Sequence, residues 1–317
     1  MESTSRLLRV VYGDFTLGVH GDGFDYIFSY AQGGLESLVK NGYEWLYRCP
    51  KPTFWRALTD NDRGSKFHIK SGSWLAADMF IDCKDAEVIT DGVSQGRPVA
   101  PDNNKYGADV YANEVNVKYT YETITTPATT VEVTYSVTGK GRITVNVSYK
   151  GAKGLPELPV FGLRFIMPTL ANKYMYEGLS GETYPDRMAG AVKGVYEIDD
   201  LGLTPYLVPQ ECGMRMETNW LEVVRHTGLN NSRKDNSPQI FRIEKKEEPF
   251  AFSCLPYTAS EIENATHHEE LPPARRTVLC VYGAVRGVGG IDSWGSDVEE
   301  AYHINAEEDI HFSFSIC

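Results

Sequence analysis

The sequence predicts an all-β fold, a sandwich of antiparallel strands with a few short helices. Apolar and polar residues alternate with period two along most of the 317 residues, as expected for strands that bury one face. Helical patterns are rare. Strand and helix patterns do not alternate, which argues against a TIM barrel and against a doubly wound parallel sheet.

The strand patterns occur in three groups along the chain. In the first group, "FTLGVHGDGFDYIFSY" predicts two strands joined by a "GDG" turn, and "YEWLY" predicts another. The second group is "DVYANEVNVKYTYETI", which alternates with one slip, followed by "TTVEVTYSV" and "RITVNVSYKG". These three predict consecutive antiparallel strands, because each has one apolar face and turn residues separate them. The third group is "VFGLRFIM", "RTVLCVYGAV" and "DIHFSFSI".

Two segments carry helical signals. "TASEIENATHHEEL" begins at Thr258, with Ser260 as its predicted cap, acidic residues in its first turn and a Pro272-Pro273 pair that would end it. "FHIKSGSWLAADMF" predicts one short helix. Both are insertions in a strand-rich chain.

We predict a single domain over residues 1–317, since large sandwiches often exceed 200 residues. The segment "KGAKGLPELP", at 150–159, is the one candidate break between two halves. It is equally consistent with a long crossover inside one sandwich.

The composition argues against several classes of function. The formal net charge is −12, and short cationic stretches such as "NNSRKDN" are interrupted by acids, so the chain lacks the clustered cations of a nucleic-acid-binding protein. No apolar stretch has the length of a signal sequence or a membrane span. The six cysteines are widely spaced, which predicts free thiols in a reducing compartment. We expect a cytoplasmic protein that binds neither nucleic acid nor membrane.

Several polar segments could carry chemistry. In "FWRALTDNDRG", Asp60 and Asp62 could bind a cation or act in acid–base chemistry, although turn propensity favours an Asx-type turn over either role. In "GLSGETYPDRMAGA", Asp186 and Arg187 could pair with other loops or form a structural turn. "PQECG" could carry a Gln and Glu211 into a cleft.

The "HHEE" stretch, His267 to Glu270, is a tempting metal motif. Adjacent residues of a helix point about 100° apart, so the two histidines would not share a metal. We predict no metal site there.

The segment "GVGGIDSWGSDV" places Trp294 among Gly, Asp and Ser. Such a ring can serve as a flat platform on which the C–H face of a sugar stacks. It can also fold back and plug its own sandwich. The local sequence does not choose between these two interpretations.

Five blocks occur together in a specific order: "RALTDNDRG", "YEGLSGETYPDR", "TPYLVPQECGMR", "YTASEIENATHHEELP" and "GGIDSWGSDV". In this order they resemble the C-terminal domain of large β-galactosidases of glycoside hydrolase family 2. A chain of this length resembles the small subunit of the heterodimeric β-galactosidases of Gram-positive bacteria. One departure is Leu58, where the commoner motif has proline.

The resemblance implies a large antiparallel supersandwich, an architecture shared with galactose mutarotases. It also implies that catalysis belongs to a partner. The two glutamates of retaining hydrolysis lie on a TIM barrel in the large subunit, and Mg²⁺ and Na⁺ are bound mainly there. This chain is expected to hold no catalytic residue, no cofactor and no metal.

The resemblance further implies roles for particular residues. Trp294 would reach across to the barrel and stack on a β-galactoside such as lactose. The segment Asp60, Asn61, Asp62, Arg63 and Gly64 would form a loop beside the active-site entrance. Arg56, Asp292 and Ser293 would support these loops. The face left uncovered without the large subunit could lead the isolated chain to self-associate.

Two other functions are compatible with a sandwich of this kind. The first is a free-standing aldose mutarotase that uses His226 as acid or base with Glu177 or Glu211. The second is a carbohydrate-binding module that acts without a partner.

Overall fold

The computed structural model describes residues 7–100, 110–230, 232, 236–291 and 295–317. Within these ranges the chain forms strands at Leu8–Tyr12 (β1), Thr16–Gly21 (β2), Phe24–Ser29 (β3), Gly34–Lys40 (β4), Tyr43–Glu44 (β5), Arg48–Thr53 (β6), Asp82–Thr90 (β7), Val93–Gly96 (β8), Val110–Ala112 (β9), Glu114–Glu122 (β10), Thr130–Thr138 (β11), Ile143–Tyr149 (β12), Val160–Met167 (β13), Lys173–Leu179 (β14), Lys193–Ile198 (β15), Arg215–Thr218 (β16), Trp220–Arg225 (β17), Gln239–Lys245 (β18), Phe250–Leu255 (β19), Thr277–Val285 (β20) and Ile310–Ile316 (β21).

The helices in the same ranges are short. The α-helices are Asp60–Gly64 (α1), Phe67–Lys70 (α2) and Ala259–Asn264 (α3), and 3-10 turns occur at Gly72–Trp74, His268–Glu270 and Glu300–Tyr302. No helix in the described part of the chain is long and apolar enough to cross a membrane.

The strands assemble into three antiparallel sheets. A six-stranded sheet has the order β5-β4-β3-β2-β1-β9, a ten-stranded sheet the order β15-β14-β17-β18-β21-β12-β11-β10-β7-β8, and a five-stranded sheet the order β16-β19-β20-β13-β6. The prediction of an all-β antiparallel fold with a few short helices is confirmed.

The strand alternation produces the core. In β10, Val115, Val117, Tyr119 and Tyr121 are fully buried and their neighbours are not, because successive side chains of a strand point to opposite faces. The slip just before this run has a structural reason. β9 pairs with β1 in the six-stranded sheet, whereas β10 pairs with β11 in the ten-stranded sheet, so the chain changes sheets between them.

The segment at 150–159 runs from β12 in the ten-stranded sheet to β13 in the five-stranded sheet. Leu155 and Leu158 on this segment belong to the main buried core, and the indole N–H of Trp74 donates to the Pro156 carbonyl at 2.8 Å. The segment is therefore a packed crossover. The assignment of 1–317 as one domain stays a prediction.

The prediction of Ser260 as the cap of the C-terminal helix is wrong. Thr258 caps α3: its hydroxyl accepts the Glu261 N–H at 3.3 Å, and the Glu261 carboxylate accepts the Thr258 N–H at 2.7 Å. This reciprocal capping box outcompetes Ser260. α3 also ends at Asn264, well before the proline pair, and the second predicted helix is two short turns, at Phe67–Lys70 and Gly72–Trp74.

The "YEWLY" segment forms only the two-residue strand β5, although a longer strand was predicted. One oxygen of the Glu44 carboxylate accepts the backbone N–H groups of Leu38 and Leu46, at 3.0 and 2.9 Å. The Leu38 N–H therefore bonds to this side chain and not to the backbone across the ladder, and the ladder stops.

Candidate functional site

The "TDNDRG" segment is a short helix, α1, which corrects the prediction of a loop at Asp60–Gly64. Thr59 is its N-cap: the Thr59 hydroxyl accepts the Asp62 N–H at 3.1 Å, and the Asp62 carboxylate accepts the Thr59 N–H at 2.9 Å. Turn propensity favours a loop here, but this capping box satisfies the first helical N–H groups and stabilises one helical turn. Gly64 is the last residue of that turn.

Asp62 is the centre of a buried ionic network. Its carboxylate accepts from Arg56 Nη1 at 2.7 Å and Nη2 at 3.1 Å, and from Arg286 Nη1 at 3.3 Å. Each of the three side chains is only 1% exposed. Burial of the Arg56 guanidinium disfavours its charge, but the neighbouring carboxylates of Asp62 and Glu211 together outweigh this and raise the pKa of Arg56.

Arg286 extends the network to two further carboxylates. It donates from Nε to Glu157 and from Nη2 to Asp297. Lys70 also contacts Asp297, at 2.9 Å, and His303 Nδ1 lies 3.1 Å from Glu157. Burial alone would raise the pKa of Asp297, but the hydrogen bonds and charges of Lys70 and Arg286 lower it.

The network holds the chain on both sides of residues 292–294. We call residues 286–291 and 295–298 the stem. On the side before residue 292, Arg56 Nη2 donates to the Gly287 carbonyl at 3.1 Å, and Asn61 Nδ2 donates to the Val288 carbonyl at 3.1 Å. On the side after residue 294, Arg286 forms an ion pair with Asp297.

The Asp186 carboxylate also binds the stem, through backbone N–H groups. It accepts the Val288 N–H at 3.0 Å and the Gly289 N–H at 2.7 Å, and neighbouring Arg187 donates to the Gly289 carbonyl. Both interpretations of Asp186 and Arg187 hold: the Arg187 N–H donates to the Tyr184 carbonyl at 2.7 Å in a turn, and the two side chains bind another segment, the stem.

Two glycines let the stem approach α1 this closely. Gly289 and Gly290 have φ of +68° and +92°, the left-handed region that side chains disfavour. A Cβ on Gly290 would lie 2.5 Å from Asn61 Nδ2. The backbone conformation favours glycine at both positions, and a side chain at Gly290 would also have to displace the Asn61 amide.

The structure brings some of the predicted residues together and separates others. Arg56, Asn61 and Asp62 meet beneath the stem, as described above. Asp60 and Arg63 face outward: the Asp60 carboxylate accepts from the Tyr206 hydroxyl at 3.0 Å, and Arg63 lies 3.6 Å from Asp60. Asp292, Ser293 and Trp294 lie outside the described residues, so the choice between platform and plug for Trp294 stays open.

Sequence reasoning missed Arg286, Glu157 and Asp297. Arg286 follows the apolar strand β20 directly, and Glu157 belongs to the crossover. An arginine at the end of a buried strand is a weak signal of a buried ion pair, because such residues are more often exposed. The partners lie 129 and 224 residues away from Arg286 along the chain, a separation that no local pattern reveals.

Glu211 lies beside this network and is not part of it. Its carboxylate accepts from the Tyr184 hydroxyl at 3.3 Å, and burial, opposed by the charge of Arg56, raises the pKa of Glu211 to about 7. It lines a cavity of about 20 Å³, which is room for roughly one water molecule. Gln210, the other polar residue of "PQECG", accepts the Asp60 N–H at 3.2 Å.

The structure does not assemble the acid–base pair that a mutarotase would need. Glu177 pairs with Trp220 at one end of β17, and His226 follows the other end of that strand. At 3.3 Å per residue these positions are about 20 Å apart. Glu211 is hydrogen-bonded to Tyr184 instead. Among the described residues, no group of three or more His, Cys, Asp or Glu could hold a metal ion.

Comparison with known proteins shows what the chain resembles. A family model described as "Beta galactosidase small chain" matches residues 20–316. The "Beta-galactosidase small subunit" of Latilactobacillus sakei is 58% identical over 316 residues, which cover 100% of this chain and 99% of that protein. A "Beta-galactosidase" of Halalkalibacterium halodurans is 35% identical over 98% of this chain but only 28% of its own length. The chain thus spans about a quarter of this longer relative.

Among solved structures, a galactose 1-epimerase of Lactobacillus acidophilus aligns over 95% of this chain and 93% of its own length. The TM-score of this alignment is 0.38 and the sequence identity is 9%. The family match covers nearly the whole chain, and the Latilactobacillus sakei subunit matches it from end to end. This chain therefore belongs to the β-galactosidase small-chain family.

Proposed function

We propose that the chain is the non-catalytic small subunit of a β-galactosidase. In this proposal it completes the galactoside site of a large TIM-barrel subunit, which carries out retaining hydrolysis of terminal β-D-galactosides such as lactose. The longer relative supports it, because a protein named β-galactosidase contains a segment 35% identical to this chain, and that segment makes up about a quarter of its length. The remaining three quarters would correspond to the partner subunit.

The stem is the observation that carries the proposal. A ring presented to another chain cannot rely on its own core for support, so its loop must be positioned from below. The buried network supplies anchors on either side of residues 292–294: Arg56, Asn61 and Asp186 bind the residues before them, and Arg286 binds Asp297 after them. Preorganisation of this kind reduces the entropy lost on binding.

The carboxylates near the stem suit support rather than catalysis. Retaining hydrolysis needs a protonated acid and a nucleophilic carboxylate about 5 Å apart on either side of a sugar. Asp62, Glu157 and Asp297 are each bound to a buried arginine, and these contacts occupy their carboxylate oxygens. Glu211 has a raised pKa but lines a cavity of about 20 Å³, far too small for a sugar ring.

We assign the Mg²⁺ and Na⁺ of the assembled enzyme to the large subunit. The carboxylates of Asp62 and Asp297 are already neutralised by Arg56, Arg286 and Lys70. A cation there would have to displace a buried guanidinium, which is costly.

Reconstitution tests the proposal. The chain alone is expected to leave a chromogenic β-galactoside uncleaved, the large subunit alone to be weakly active, and the mixture to be fully active. Trp294→Ala in the complex should raise KM more than it lowers kcat, because it removes a stacking contact made already in the ground state. Trp294→Phe, which keeps an aromatic face, should recover part of the affinity.

Two results would contradict the proposal. Full-rate hydrolysis by the isolated chain would place the catalytic carboxylates here. Unchanged KM and kcat for Trp294→Ala, in a complex of normal affinity, would remove the role of the ring. Gel filtration of the free chain over a concentration series tests whether it self-associates without its partner.

A further inference from the structure

A groove away from the stem carries an unusual concentration of positive charge. Two clefts, of about 660 and 570 Å³, share the residues Tyr47, Arg48, Ile166 and Thr258 and so form one continuous depression, which we call the Tyr47 groove. Its lining includes five cations and three acids: Arg48, Lys51, Arg164, Arg275, Arg276, Glu36, Asp78 and Glu261. The groove is net positive in a chain whose formal charge is −12.

The five cations outnumber the three acids of the same lining, and few of them form ion pairs. Arg164 is paired with Asp78, and the Glu261 carboxylate caps α3 through Thr258. The remaining four cations make no ion pair with any carboxylate of the described residues: Arg48, Lys51, Arg275 and Arg276. In a chain with 43 acids and 31 Lys and Arg residues, four unpaired cations in one groove call for an anionic partner.

Neutral contacts hold two of these cations in place. Arg276 donates to the Pro168 carbonyl at 2.7 Å, and its guanidinium lies 3.9 Å from the centre of the Tyr47 ring. Lys51 donates to the carbonyls of Gln32 and Gly33, at 2.5 and 3.2 Å. Carbonyls and aromatic rings orient a cation without cancelling its charge, so the groove is prepared for an anion.

The shape of the groove favours an extended ligand over a compact one. Arg48 and Lys51 lie three residues apart on β6, which is about 10 Å along a strand, and Arg275 and Arg276 line only the second cleft. A single phosphate would need its donors to converge on one point. Cations spread along a groove match carboxylates spread along a peptide.

The position of the groove indicates which peptide it binds. α3 separates the groove from the stem: Thr258 and Ser260 line the groove, while the Glu263 carboxylate at the other end accepts the Leu58 N–H at 2.7 Å, next to α1. Six helical residues span about 9 Å. A partner that covers the stem and α1 would therefore need to extend only across this short helix to enter the groove.

We propose that the Tyr47 groove binds an extended acidic segment of the large β-galactosidase subunit. This inference rests on the proposed function, since it takes the large subunit as the partner. The groove then contributes a second, electrostatic contact beside the stem. It would accelerate association and orient the two subunits, and its strength would fall as salt screens the charges.

The test uses purified large subunit and two charge-matched double variants of this chain. Arg48→Glu with Arg275→Glu reverses charge in the groove. Lys140→Glu with Lys153→Glu makes the same change in net charge at exposed lysines elsewhere, which also make no ion pair with the described residues. Dissociation constants are measured at 50 and 300 mM NaCl. All four positions are on the surface, and circular dichroism checks that each variant folds.

The groove variant is expected to bind about tenfold or more weakly at low salt, and the control variant to bind within about twofold of the parent. The parent should lose affinity as salt rises, and the groove variant should lose less. Equal effects of the two variants, or parent-like binding by the groove variant, would overturn the groove proposal while the complex itself still forms. If the unmodified chain does not bind the large subunit, both the proposed function and the assignment of the groove to a segment of that subunit are overturned.

Inorganic phosphate serves as a competing probe. At constant ionic strength, 20 mM phosphate should leave the subunit affinity within about twofold of its value in chloride, because one small anion cannot replace contacts spread along the groove. Complete displacement of the large subunit by phosphate would show a compact anion site and contradict the proposal.

Discussion

Asp62→Asn is the sharpest test of the network beneath the stem. The substitution keeps the size of the side chain and removes one charge. Asp62 accepts three guanidinium N–H groups, from Arg56 and Arg286, together with the N–H and hydroxyl of Thr59. An asparagine has a single acceptor oxygen and would direct its NH₂ group at a guanidinium or at the Thr59 N–H.

The cost can be worked out from these contacts. Removing one partner of a buried ion pair costs about 3–5 kcal/mol, because the other charge is left uncompensated. Glu157 and Asp297 still neutralise Arg286, so the cost falls mainly on Arg56 and lies near the lower end. Weakening the cap of α1 adds about 1 kcal/mol. We expect Asp62→Asn to lower the free energy of unfolding by about 4 kcal/mol.

Urea denaturation, followed by tryptophan fluorescence and far-UV circular dichroism, measures this loss; guanidinium is avoided because it screens ion pairs. Asp60→Asn is the matched control. Asp60 lies on the same helix but is 37% exposed and pairs with Arg63 at 3.6 Å, so its loss should cost less than about 1 kcal/mol. If the two variants have the same stability, the network does not support the stem as described.

Two further predictions concern the same region. Gly290→Ala should destabilise the chain by about 1–3 kcal/mol in the same urea assay, because φ is +92° and the new Cβ would lie 2.5 Å from Asn61 Nδ2. Gly295→Ala is the control, since a Cβ there would meet nothing within 4 Å. Equal losses of stability in the two variants would contradict the close approach of the stem to α1. Glu211 has a pKa of about 7 in the folded chain and 4.5 as its ordinary value, so the folded state binds more protons and stability falls as pH rises from 4.5 to 7. Glu211→Gln should remove this fall, giving a chain more stable than the parent at pH 8 by at most about 3 kcal/mol and similar to it at pH 4. Parallel pH profiles for parent and variant would show that the Glu211 carboxyl is not buried.

The strands of the ten-stranded sheet show what local sequence can predict. β10, β11 and β12 each alternate buried and less buried residues without interruption, and each was predicted with its correct partner. The alternation is a property of neighbouring residues, so it survives in any tertiary context that buries one face. The short strand β5 was overestimated because the Glu44 side chain, and not the apolar pattern, determines where that ladder ends.

The candidate site was predictable only in part. Arg56 was singled out as a support, and Asn61 and Asp62 as part of a loop beside the active-site entrance, through the resemblance of their motif to a known family. Asp62 completes the capping box of Thr59 and also binds two buried arginines. One of these arginines, Arg286, lies 224 residues later in the chain. No periodicity marks such a contact, because an isolated Arg or Asp looks the same in sequence whether it is buried or exposed.

The sequence by itself determined the all-β class, most of the strands and membership of the β-galactosidase small-chain family. These follow from alternation between neighbours and from motifs that keep their order along the chain. Only the tertiary structure decided that the supports of the stem form one ionic network, and that four unpaired cations share the Tyr47 groove. Both features join segments from different sheets and loops, and their energies depend on burial and distance, which arise only when the chain is folded.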